Sequence, residues 1–115
     1  MKIILTKNNE IICNNLKLAK DMFSRIIGLL GKKTFDNFDG LLLSPCNQIH
    51  SIGMKFKFDA VYLDNTYRVV ALYKNIEKNR IMPYNIAVKN VLEIPSGTIE
   101  NKNLEIGDVL KISQE

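Results

Sequence analysis

Histidine occurs once in these 115 residues, cysteine twice and tryptophan not at all. Each scarcity excludes something. Two cysteines, Cys13 and Cys46, are too few for a disulfide framework or a four-cysteine zinc site. A structural zinc needs four ligands and a catalytic one three; Cys46 and the lone His50 supply two. No metal or other cofactor is therefore expected. Arginine is also scarce: of sixteen Lys and Arg, only Arg25, Arg68 and Arg80 are arginines. The lysines are spread along the chain, often beside Asn and Glu. Nucleic-acid binders concentrate positive charge and interleave it with exposed aromatics, so no nucleic-acid partner is expected from the net charge of +4. Long apolar runs are missing too. Ile3-Ile4-Leu5 is far too short for a signal-peptide core, and no segment reaches the length of a membrane span. The expectation is a cytoplasmic protein with reduced thiols and no membrane partner. The few glycines match neither phosphate-binding fingerprint and no βαβ rhythm appears, which excludes Rossmann and P-loop architectures.

What remains is ordinary for a globular protein: 46% hydrophobic and 24% charged residues. One domain, 1–115, is expected, long enough to bury a core without disulfides. Residues 2–6 read as a strand, 7–9 as a turn and 10–19 as a second strand, together an N-terminal hairpin. Cys13 falls in that second strand as a small core residue. In 21–33 the period changes. Met22, Ile26 and Leu29 recur at helical spacing between Asp21 as N-cap and Gly31 as C′ residue. Gly40–Ser44 is a short buried strand closed by Pro45. Residues 55–59 alternate strictly and 60–63 turn apolar on both faces. Asp64-Asn65 then turns the chain into 67–76, a hairpin. Strands follow at 88–94 and 109–113, with one short helical turn near 99–103. The fold class is mainly β (α+β): a small antiparallel β-barrel or curved sheet of about seven short strands with one packed helix.

The segment PCNQIHSIGM, Pro45–Met54, carries the chemistry. Cys46 and His50 read as a nucleophile–base pair, as two ligands of a metal, or as packed loop residues. Four extended residues span roughly 13 Å, so the pair meets only if the loop folds back. Asp59 opens a strand that enters the core, and Glu93 lies inside the strand VLEIP. Each reads as a salt-bridged or capping carboxylate, or as half of an acidic ligand site. Arg25 reads as a solvated helix residue or as an anchor for a carboxylate.

Across GLLLSPCNQIHSIGMKFKFDAVYLD the chain resembles the family catalogued as domain of unknown function 192. The resemblance is carried by Arg25, Gly28, Leu29, Gly31 and Lys32, then by Gly40, Pro45, Cys46, Ile49, His50, Met54 and Asp59. It continues through Leu92, Glu93, Pro95, Gly97, Gly107 and Asp108. Ser51 replaces the family's frequent Thr, and Lys57-Phe58-Asp59 its usual Pro-Ile-Asp. The resemblance implies a compact, mainly β fold with one helix, and no activity. The functional expectation is a binding module for a small molecule or peptide, not an enzyme. Its site would lie around 45–54, with His50, Met54, Asp59, Glu93 and Arg25. The alternatives are a Cys46/His50 or metal-dependent hydrolase-like enzyme, and an interaction protein with an apolar patch at Phe35, Phe38 and Tyr84. The oligomeric state stays open.

Overall fold

A computed structural model describes residues 1–20, 34, 35 and 37–114. The helix expected over 21–31, with Arg25, lies outside the described residues. Among those described, eight strands form: β1 (Lys2–Leu5), β2 (Glu10–Cys13), β3 (Leu16–Ala19), β4 (Gly40–Leu43), β5 (Phe58–Leu63), β6 (Val69–Ile76), β7 (Asn90–Pro95) and β8 (Leu110–Ser113). A single turn of helix, α1 (Thr98–Asn101), connects β7 to β8. The strands make two sheets, one ordered β2-β1-β8 and one ordered β3-β4-β7-β5-β6. No closed barrel forms among the described residues.

The sheets correct the sequence reading in three places. Residues 10–19 are two strands, because Asp39 accepts hydrogen bonds from the amides of Asn14 (2.9 Å) and Asn15 (2.7 Å). That carboxylate breaks the ladder and lets the chain cross from the first sheet to the second. Secondly, β3 lies parallel to β4, from Leu16 opposite Gly40 to Ala19 opposite Leu43. The sheet is thus mixed, not purely antiparallel. Thirdly, β5 begins only at Phe58. The alternation over 55–57 arises because Phe56 packs edge-on against Phe35, with ring centroids 5.4 Å apart, from outside the strand.

Each sheet face has its own core. Ile3, Leu5 and Ile12 of the first sheet pack with Leu42, Val61 and Leu92 of the second. Gly40 sits beside this core because Cys13 takes the space of a side chain: a Cβ there would stand 2.7 Å from Cys13 Sγ. The opposite face of the five-stranded sheet presents Leu41, Leu43, Phe58, Ala60, Tyr62 and Val91, which pack with Phe35, Ile49, Met54 and Val88 from the loops. Each such side chain contributes roughly 1.5–3 kcal/mol by leaving water. The long loops are thereby bound to the fold by their own apolar residues.

Candidate functional site

The Pro45–Met54 stretch does not stand alone. It runs alongside residues 79–89 and is tied to them by main-chain hydrogen bonds. Cys46 N–H donates to Lys89 O (2.9 Å), Met82 N–H to Ile49 O (2.9 Å) and Ser51 N–H to Arg80 O (2.8 Å). Gln48 Nε2 adds a bond to Met82 O at 3.0 Å, and His50 makes an antiparallel bridge with Ile81. Ser51, fully buried, fastens one end. Its hydroxyl donates to Glu77 O and accepts from Arg80 N–H at 2.9 Å. Tyr62 fastens the other end to the sheet, its hydroxyl donating to Pro83 O at 2.9 Å. Two loops thus form one layer over the second core. Ile49 and Met54 point from that layer into the core, so Met54 is a packed residue.

Within this layer Cys46 and His50 are not joined by a hydrogen bond. The half-buried Cys46 thiol donates to Gln48 O at 3.3 Å. His50 is exposed, and its Nδ1 accepts the Ile52 N–H at 3.2 Å. Among the described residues, no group of three or more His, Cys, Asp and Glu side chains is placed to hold a metal ion. The other thiol, Cys13, is buried, and burial pushes its pKa up to about 12.

The two carboxylates diverge. β5 and β7 pair with Asp59 opposite Ile94 and Ala60 opposite Glu93. Cross-strand partners share a face and neighbours along a strand do not, so Asp59 and Glu93 lie on opposite faces. Asp59 is fully buried and is consumed by the fold. It accepts from Asn75 N–H (2.8 Å), Gly97 N–H (3.1 Å) and Ile99 N–H (3.0 Å). The bond from Ile99 satisfies a first-turn amide of α1 that no intrahelical carbonyl can reach, the bond from Gly97 holds the N-cap of that helix, and the bond from Asn75 ties in the end of β6. Gly97 turns the chain toward Asp59 with φ 95°, a left-handed value suited to glycine.

Glu93 has no hydrogen-bond partner among the described residues. It stands between Leu41 and Ala60 on the second-core face. Burial pushes its carboxyl up to about 8, so at neutral pH it is mostly the neutral acid. Tyr62, one strand away, is pushed up to about 12, first by burial; Tyr73, Cys46 and Glu93 add smaller contributions of the same sign. Tyr62 and Glu93 thus share the second-core face on adjacent strands, with Cys46 of the loop layer packed against the same core, a grouping that sequence spacing did not reveal.

The outer side of the layer exposes four large apolar residues among polar ones such as Gln48, His50 and Arg80. Ile52 is 48% exposed, Ile81 71%, Tyr84 57% and Ile86 74%. The patch expected at Phe35, Phe38 and Tyr84 is not formed as such, since Phe35 is buried and stacks edge-on with Phe38 at 5.8 Å. Only Tyr84 of the three is exposed. Ile81 and Ile86 were legible as aliphatics in a polar loop around Pro83, a signal the sequence reading passed over. Beside the layer, a cleft of about 390 Å³ opens between β6 residues 72–76 and the side chains of Arg80 and Met82.

Among the comparisons with known proteins, one gives the family and another the fold. The family model DUF192, described as "Uncharacterized ACR", matches residues 3–112. The chain belongs to the DUF192 family. No curated protein matches this DUF192 chain. Two solved structures share its fold. One is a protein of unknown function from Novosphingobium aromaticivorans DSM 12444, with TM-score 0.81, 16% identity, and coverage of 96% of this chain and 82% of that one. The other is a "putative transcription regulator" from Sinorhizobium meliloti 1021, with TM-score 0.72, 18% identity, and coverage of 96% and 89%. Among the described residues of the DUF192 chain, no helix is long and apolar enough to cross a membrane.

Proposed function

We propose that this DUF192 protein is a binding module for a peptide segment of another protein, with the outer side of the paired loops as its contact surface. The observation that carries this reading is the placement of Ile52, Ile81, Tyr84 and Ile86. They are the exposed large apolar residues of two segments held side by side by main-chain and side-chain hydrogen bonds. Such bonds fix the surface in advance, which lowers the cost of ordering it on binding. Exposed aliphatic and aromatic side chains gathered on a rigid surface mark interaction sites more often than isolated ones do.

The hydrolase alternative is not favoured by the geometry. A base must lie within reach of the proton it takes, and His50 points its Nδ1 at its own turn while Cys46 bonds to Gln48. The description of the Sinorhizobium protein suggests nucleic acid as a partner. At 18% identity that likeness speaks to fold alone. Several lysines here are drawn into ion pairs, Lys7 with Asp108 (3.2 Å) and Lys57 with Glu77 (3.2 Å), which weakens any basic stripe.

The test is selection from a random peptide library on the immobilised protein, followed by amide chemical-shift mapping. The reading expects the selected peptides to move the amides of 50–54 and 80–87. It fails if no peptide is enriched, or if the shifts centre on the first sheet.

A further inference from the structure

The five-stranded sheet ends at β6, and on its outer side no further strand lies among the described residues. β6 is also the longest strand, eight residues. Its first residue is already engaged: Val69 N–H donates to Asp108 O (2.7 Å) and Val69 O accepts from Gly107 N–H (2.9 Å). Its last turn is engaged through Asn75 N–H and Asp59. Between these, residues 70–74 keep the outward main-chain groups that any edge strand presents. They offer roughly 17 Å of template, at about 3.3 Å per residue.

The cleft beside β6 lies against this stretch, with Lys74 and Arg80 both lining it. Both are exposed, and neither forms an ion pair among the described residues. The third charge there, Glu77, is bonded to Lys57 at 3.2 Å. The cleft therefore carries unbalanced positive charge. Arg80 and Met82, which line it, flank exposed Ile81 in the chain.

We propose that the partner peptide enters as an extended strand that adds to the outer edge of β6 along residues 70–74, with an acidic side chain facing Lys74 and Arg80. This rests on the peptide-binding reading above and specifies its mode. A lysine on an edge strand opposes pairing with a like copy, and the same lysine attracts a carboxylate. A second copy of this chain is thus the poorer occupant. Main-chain bonds would supply affinity, with the cleft and the Ile81 surface supplying selectivity.

The probe is the set of library-selected peptides, applied to the whole protein. The proposal expects an acidic residue within a β-branched run and at least about tenfold slower hydrogen exchange at 70–74 on binding. It also expects about tenfold weaker binding both when alternate peptide amides are N-methylated and when the protein carries Lys74→Glu with Arg80→Glu. Unchanged exchange at 70–74 with tolerated N-methylation overturns strand addition, while binding that still needs Ile81, Tyr84 and Ile86 leaves the peptide reading intact. Protection at 70–74 that appears with protein concentration and without peptide assigns the edge to a second copy and overturns the proposal. Failure to enrich any peptide overturns both readings. The charge-reversed protein is checked for an unchanged thermal midpoint, since both side chains are exposed.

Discussion

Two buried carboxylates on one sheet behave in opposite ways: Asp59 is held by main-chain donors, whereas burial dominates Glu93. Asp59 receives three main-chain N–H groups. Asp59→Ala leaves those amides without their acceptor and should cost about 3 kcal/mol or more in urea unfolding, with Asp59→Asn losing roughly half as much. Glu93 receives none among the described residues and is raised from 4.5 to about 8 by burial. A carboxyl raised on folding binds more proton in the folded than in the unfolded state. Its contribution to stability is therefore full below pH 4.5 and declines as pH rises, being lost above about 8. The loss amounts to a few kcal/mol. Glu93→Gln holds a neutral side chain at every pH. The difference in urea midpoint between wild type and Glu93→Gln should shift in the variant's favour between pH 5 and pH 9. A pH-independent difference would contradict the burial argument.

At the scale of elements, the strands written in continuous apolar residues were legible: β4, β5 and β7 are buried along nearly their whole length, and an Asp64-Asn65 turn joins β5 to β6. Asp64 makes that turn by accepting from Thr66 N–H (2.8 Å) and Arg68 N–H (3.0 Å), a local code that sequence reading can follow. The break at Asn14-Asn15 was not legible, because the carboxylate that makes it comes from Asp39, far along the chain. The parallel pairing of β3 follows from that same break. The odd segment at Pro45–Met54 was legible as unusual, but its partner was not. Ser51 is the reason: a small polar residue read as a loop position is the buried fastener between two loops. Ser51→Ala removes the acceptor for Arg80 N–H. It should cost about 1–3 kcal/mol, and hydrogen exchange should quicken at 49–54 and 79–82 more than in β5 or β7. Uniform acceleration across the sheet would mean that the loops do not open as a unit.

For the whole molecule, the design is a five-stranded sheet with two unlike faces. One is sealed by the small sheet. The other is covered by a pair of tied loops whose inner residues are core and whose outer residues include exposed Ile52, Ile81, Tyr84 and Ile86. That division explains why Met54 and Asp59, candidates for ligand contact in the sequence, serve the fold, while Ile81 and Ile86 face solvent. It also ties stability to function: the bonds that close the second core are those that hold the proposed contact surface rigid. The most direct measurement is the dissociation constant of a library-selected peptide for wild type and for the triple variant Ile81→Ser, Tyr84→Ser, Ile86→Ser. All three side chains are largely exposed, so folding should be retained, as circular dichroism would verify. The account predicts binding at least about tenfold weaker in the variant. Equal affinity in the two folded proteins would contradict it.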